Sequence, residues 1–315
     1  RKLVLITMSV ATLGLICSAI ATNVVLFFLA AFVTGICSTG AQVLLPFSAH
    51  LTPPERRGRV LGQVASGLLA GIMLARPAAL FIAASFGWRA VFWASALLMI
   101  IVGLTLARMM PRYQPRGGMH YGRILASMGT LVRDMPFLRW RAGYQALLFG
   151  TFSMFWTAVP LMLAREFGLD QNEIGLFALA GAGGALCAPI AGWLTDKGFG
   201  QQATMGSILL LIATFLASGW AVAATTLAGL IVVTILLDAT IQTSHVNTQR
   251  LLFAGPPETR GRVNAIFMTT TFIGGAAGSV VGTASYHWGG WMATTLVGAT
   301  TGLVALAMFF IANRR

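Results

Sequence analysis

The chain has 315 residues, of which 57% are hydrophobic and 9% charged, with a mean hydropathy of +0.80. Soluble domains carry about a quarter charged residues, so an ordinary water-soluble fold is excluded and a polytopic membrane protein remains. The formal charge of +13, from 21 Lys plus Arg against 8 Asp plus Glu, takes its meaning from where those residues fall.

A bilayer core about 30 Å thick takes about 20 helical residues to cross. Ten stretches meet that requirement: 3–22, 24–48, 60–84, 89–109, 142–164, 173–195, 203–223, 225–248, 263–285 and 290–312. Between the fourth and fifth, residues 110–141 are polar, basic and Pro/Gly-containing. Tyr121 to Arg133 has amphipathic spacing at Ile124, Met128, Leu131 and Val132, which would suit the inner membrane surface; a linker joining two bundles is the simpler reading. Cys17, Cys37 and Cys187 lie inside apolar runs without ligand spacing. Neither a disulfide framework, a metal site nor a cofactor is expected from them.

Basic residues set the orientation. The two first residues, the loops near 49–59, 110–141, 196–202 and 249–262, and the tail would share one side. That side carries Arg1, Lys2, Arg56, Arg57, Arg59, Arg108, Arg112, Arg116, Arg123, Arg133, Arg139, Arg141, Lys197, Arg250, Arg260, Arg262, Arg314 and Arg315. The opposite side carries Arg89 and Arg165, and Arg76 falls inside a span. Such asymmetry predicts that both ends of the chain are cytoplasmic. The positive charge is then mainly topological, and a nucleic-acid partner is not expected.

The chain also repeats itself. Pro53-Pro54-Glu55-Arg56-Arg57-Gly58-Arg59-Val60 recurs as Pro256-Pro257-Glu258-Thr259-Arg260-Gly261-Arg262-Val263, seven of eight identical at an offset of 203. The same offset carries Gly71 onto Gly274 and Gly87-Trp88 onto Gly290-Trp291. Spans 1–4 therefore correspond to spans 7–10, while spans 5 and 6 have no partners within the chain. The arithmetic predicts two parallel six-helix repeats whose first two helices precede residue 1, an arrangement typical of transporters with a midplane site.

Gly192-Trp193-Leu194-Thr195-Asp196-Lys197-Gly198 resembles the Gly-x-Leu-x-Asp-Arg/Lys-x-Gly signature of the major facilitator superfamily. With Pro-Pro-Glu-Arg-Arg-Gly-Arg and Gly87-Trp88-Arg89-Ala90-Val91-Phe92, the chain looks most like the arabinose-efflux-permease and drug-efflux branch. The resemblance covers essentially the whole chain as family helices 3 to 12. It implies an all-α membrane fold of two bundles: an incomplete N-terminal bundle of four helices (1–110), a cytoplasmic linker (111–140) and a six-helix C-terminal bundle (141–315). It also implies a monomer in a bacterial cytoplasmic (inner) membrane. The glycine-rich antiporter motif of the efflux branch is only partly matched in span 3, where Ala75-Arg76 stands for Gly-Pro.

Several residues are candidates for function. By the resemblance, Gly192 and Asp196 belong to a gating latch, with Arg260 or Arg262 as ionic partners; a solvated loop acid is the alternative. Arg76 within a span marks a functional site or a structural ion pair. Span 8 holds the membrane-embedded acid Asp238, and Thr234, Asp238, Gln242, His245 and Gln249 share one helical face. That polar stripe should line water or substrate, with Asp238 able to exchange a proton and His245 a second titrating group. Span 5 presents Gln145, Phe149, Phe152 and Trp156 on one face, suited to an amphipathic or sugar-like ligand or to packing. Gln42 is the polar candidate deep in span 2. The glycines of span 9 (Gly274, Gly278, Gly282) and Gly181 to Gly184 read as close helix packing.

The function expected is a secondary transporter, not an enzyme, that exports small organic molecules by alternating access at the expense of a proton gradient. No phosphate-binding loop for ATP occurs in the sequence. A truncated, non-transporting member of the same family and a ten-helix drug/metabolite-type transporter are the alternatives. The latter would repeat after about half the chain, which the offset of 203 opposes.

Overall fold

A computed structural model describes residues 2–38, 54–110, 121–185, 197–253 and 257–313. Regular structure among them is entirely helical: α1 (Lys2–Ile20), α2 (Val24–Cys37), α3 (Pro54–Phe86), α4 (Trp88–Met109), α5 (Tyr121–Asp134), α6 (Pro136–Glu166), α7 (Gln171–Ala185), α8 (Gly200–Ala223), α9 (Leu227–Phe253) and α10 (Pro257–Asn313). Six of these are long and apolar enough to cross a bilayer, and Val24–Cys37 and Leu74–Phe86 add shorter apolar stretches. The 57-residue α10 is two helices in one, broken where Gly289 and Gly290 leave helical geometry. The amphipathic stretch of the linker is a helix, α5, and α6 starts at Pro136, several residues before the hydropathic span does. Pro136 suits the first turn because the amide hydrogen it lacks has no intrahelical acceptor there.

The internal repeat is visible in the helix boundaries. α1 and α8 end at Ile20 and Ala223, α2 and α9 start at Val24 and Leu227, and α3 and α10 start at Pro54 and Pro257. Each pair is 203 residues apart. The turn after α3 and the break in α10 share the same device. Gly87 has φ +80° and Gly290 φ +64°, a region that a side chain makes costly. The chain can therefore reverse in two residues between consecutive spans in both copies. A five-plus-five repeat does not fit these boundaries.

The chain divides into two compact units, Arg1–Gly118 and Met119–Arg315. In the first, α1 lies against α2 and α4. A methyl at Gly14 would meet the Thr34 side chain and come within 3.1 Å of the Ala30 carbonyl oxygen, so only glycine permits this approach. Asn23 caps α2, its Oδ1 accepting from the Leu26 amide at 2.8 Å. Arg89 donates from Nη2 to the Ala21 carbonyl at 3.0 Å and lies over the Trp88 ring at 4.3 Å. The one guanidinium of that turn thus ties the α1–α2 connection to the start of α4.

In the second unit, α6 and α10 make the most extensive helix pair. Methyl groups at Gly274, Gly278 and Gly282 would run into the main chain of Ala146, Gly150 and Met154, respectively. The partners advance by four residues on both helices, so the glycine ridge of one follows the ridge of the other in parallel. Lipid tails are as apolar as leucine, so close backbone approach, rather than hydrophobicity, selects this pairing. Leu138, Ala142, Leu252, Val263 and Phe267 close the core where α6, α9 and α10 meet.

Candidate functional site

Asp238 stands near the middle of α9 and is 7% exposed. The Trp156 indole Nε1–H of α6 donates to its Oδ1 at 2.9 Å. The indole is a neutral donor, and its bond orients the carboxyl. Part of the surroundings comes from α7. A methyl at Gly181 would strike the Trp156 ring and stand 2.7 Å from Asp238 Oδ2; one at Gly184 would strike Asp238 Cβ and stand 2.6 Å from the Ile235 carbonyl oxygen. The carboxyl therefore sits where three helices meet, with an aromatic donor on one side and bare main chain on another.

The aromatic face of α6 continues from Trp156. Phe149 and Phe152 stack at 5.4 Å between centroids, and Phe272 of α10 meets Phe149 edge-on at 5.7 Å. All three expected aromatics of that face are half-buried. Gln145 differs, because it is completely enclosed. Its Oε1 accepts from Ser244 Oγ at 3.0 Å, whereas its Nε2 has no hydrogen-bond partner among the described residues. Its amide thus belongs to the contact between α6 and α9.

The stripe on α9 divides by depth of burial. Thr234 is fully buried and its hydroxyl donates to its own helix at the Leu230 carbonyl, 2.8 Å away. Gln242, His245 and Gln249 are half-buried, with the His245 ring 5.3 Å from that of Phe267 on α10. A second polar set, outside that stripe, is more deeply buried: Thr240, Ser244, Asn247 and Thr248. Asn247 Nδ2 donates to the Gly200 carbonyl on α8 at 3.3 Å, and Thr248 Oγ1 is 3.0 Å from Tyr144 OH. Ser244, Asn247 and Thr248 fasten α9 to its neighbours, whereas the Thr240 hydroxyl donates within α9 to the Leu237 carbonyl.

Arg141 is also placed differently from the loop position expected for it. It lies in the second turn of α6, 5% exposed. Nη2 donates to Asn313 Oδ1 at 3.0 Å, Nη1 to Tyr144 OH at 3.3 Å, and the guanidinium lies over Phe137 at 4.3 Å. Asn313, Arg141, Tyr144 and Thr248 consequently link the end of α10 to α6 and α9. The hydropathic window began after Arg141 because it treats arginine as a loop residue; enclosure by Asn313, Tyr144 and Phe137 is what admits it to the bundle.

Among the remaining candidates, Arg76 is half-buried within α3. Arg260 is exposed and Arg262 half-buried in the first turns of α10. Gln42, Gly192 and Asp196 lie outside the described residues. No group of three or more His, Cys, Asp or Glu side chains that could hold a metal ion occurs among the described residues.

The chain is similar to known proteins over almost its full length. It is 37% identical over 311 residues to the uncharacterized transporter YgaY of Escherichia coli O157:H7, an alignment covering 98% of this chain and 78% of that protein. A probable transporter of Streptomyces coelicolor, SCO4007, is 35% identical over 256 residues, 79% of this chain and 58% of its own length. Among solved structures, the human organic anion transporter MFSD10 superposes with a TM-score of 0.70 at 17% identity, covering 97% of this chain and 76% of that one. A bacterial homolog of the human lysosomal transporter Spinster, in an inward-facing and occupied conformation, also gives 0.70 at 16% identity, covering 99% and 82%. At such identities these two establish the fold alone. The Major Facilitator Superfamily model matches residues 1–142 and again 141–315, and with the helices repeated at the same spacing the chain belongs to that superfamily of multi-pass membrane transporters.

Proposed function

We propose that this transporter exports small organic molecules, sugar-like or drug-like, by alternating access, and that protons entering and leaving at Asp238 drive the cycle. The observation that carries this reading is the enclosure of Asp238 between Trp156 and the glycines of α7. An ionised carboxylate at membrane depth costs at least a few kcal/mol, so a proton on Asp238 favours one state of the cycle and its loss another. Half-buried Phe149, Phe152, Trp156, Gln242 and His245 supply apolar faces and hydrogen-bonding groups for an amphipathic substrate. Gln145 supports them from within the helix contact. Asp196, with Arg260 or Arg262, forms the gate, and the protein works as a monomer in the inner membrane with both chain ends cytoplasmic.

Uphill transport in proteoliposomes under an imposed pH gradient tests the coupling. Asp238→Asn keeps the shape of the protonated acid and removes its charge, so gradient-driven export is abolished while substrate exchange persists. Uphill export by Asp238→Asn with an unchanged pH profile would exclude Asp238 as the proton carrier. The gate has its own test in Asp196→Asn, which slows transport without reducing the amount of inserted protein; wild-type kinetics refute it.

A further inference from the structure

The three described glycines of α7 near Asp238 are not equivalent. Gly183 faces only the Ile235 side chain, 3.5 Å or more from where its methyl would stand, an ordinary contact. Gly184 is hemmed by main chain, with the Ile235 carbonyl oxygen at 2.6 Å and the Ala239 amide nitrogen at 2.7 Å. Helix packing by itself accounts for Gly184. It does not account for Gly181, whose methyl would meet two side chains, Trp156 and Asp238, that are themselves hydrogen-bonded to each other. Gly181 and Gly184 are three residues apart and so share a face of α7.

The geometry points to Gly181 and Gly184 as positioning residues for Asp238. Their missing side chains form the slot that holds the carboxyl against the Trp156 indole, so the placement of α7 along α9 sets where the carboxyl can point. Its importance for transport rests on the Asp238 reading above, whereas the positioning itself is a property of the three helices. α7 offers the acid no side chain at these two positions; what it offers is room. Gly181 limits the side-chain ends of the pair and Gly184 limits how near α7 comes to α9. A shift of α7 against α9 then moves main chain into the slot or out of it, and the Asp238–Trp156 hydrogen bond responds without any change in α9 itself.

The test measures the carboxyl directly. Purified protein in detergent is treated with dicyclohexylcarbodiimide, an apolar carboxyl reagent, and modification at Asp238 is followed over time by mass spectrometry. Gly181→Ala displaces the carboxyl from the indole and accelerates labelling roughly tenfold, the weight of one hydrogen bond to a charged group. Gly183→Ala labels at the wild-type rate. A folded Gly181→Ala protein that labels like wild type, or a Gly183→Ala protein that accelerates equally, overturns the proposal. Should Gly181→Ala not fold, the same change is made in a Trp156→Phe background, where the struck ring atoms are gone. No indole bond is left to lose there, but the methyl still stands 2.7 Å from Oδ2, so a labelling rate that differs from that of Trp156→Phe alone supports the slot and an equal rate refutes it. Labelling does not depend on transport. Uphill export by Asp238→Asn would remove the proton-carrier reading and leave this result untouched.

Discussion

The two units carry the same four-helix repeat, yet they use its glycines differently. Gly71 and Gly274 occupy equivalent positions. No described atom lies within 4 Å of a methyl at Gly71, whereas one at Gly274 would run into the main chain of Ala146. At the next two equivalent positions, Ala75 and Ala79 stand where the second unit has Gly278 and Gly282. In the second unit the Gly274–Gly278–Gly282 ridge packs against α6. A glycine ridge is a property of a helix pair, and the duplicated sequence of one helix does not by itself specify it. The opposite holds for Gly87 and Gly290. Both keep positive φ, because a turn of that shape is decided by its own backbone.

The largest effect that would break this comparison is at the ridge. Gly278→Ala forces α10 away from Gly150, and overpacking of that kind costs about 1–3 kcal/mol. A lowered midpoint of thermal unfolding in detergent is expected, and an unchanged one would mean that the ridge is not tightly packed. Arg141→Ala is of the same order. It removes a guanidinium bonded to Asn313 and Tyr144, and hydrogen bonds to charged groups contribute about 1.5–3 kcal/mol. Asn313→Ala should lower the same midpoint by less, because Arg141 retains Tyr144. Hydrogen exchange that loosens at the end of α10 in both variants checks that the link, and not a general loss of folding, is responsible.

Equal effects are expected at the two turns. Gly87→Ala and Gly290→Ala each place a methyl at positive φ with extended ψ, at about 1–3 kcal/mol. Similar losses in both units sharpen the contrast with the ridge, since the turn cost is local and the packing cost is not. Least of all, Gly71→Ala should be neutral or stabilising by up to about 1 kcal/mol, because alanine is the better helix former and no described atom opposes its methyl. A loss as large as that of Gly278→Ala would show that α3 has a close partner and would erase the difference between the units.

Local chemistry made much of this legible in the sequence. Apolar length located the helices, and the duplicated Pro-Pro-Glu-x-Arg-Gly-Arg-Val together with Gly-Trp fixed which helices are equivalent. The boundaries at Ile20 and Ala223 or Pro54 and Pro257 follow at that spacing. Asp238 was conspicuous for a similar reason, as an acid within an apolar run. Its neighbours were not. Periodicity gathers Gln145 with Phe149, Phe152 and Trp156, but cannot say that Gln145 closes on Ser244 while Trp156 reaches Asp238. Nor did it single out Ser244, Asn247 and Thr248, whose hydroxyl and amide groups are satisfied across helix contacts.

The sequence by itself determined a membrane-embedded, all-helical, internally duplicated transporter fold, because apolar length, turn glycines and repeated loops act within a few residues of where they are written. The tertiary structure decided which face of each helix meets which partner. In an apolar solvent, hydropathy does not distinguish a face turned to lipid from one turned to protein. Shape and hydrogen bonding make that choice: Gly278 on Gly150, Gly181 beneath Trp156, and Arg141 drawn into the bundle by Asn313 and Tyr144.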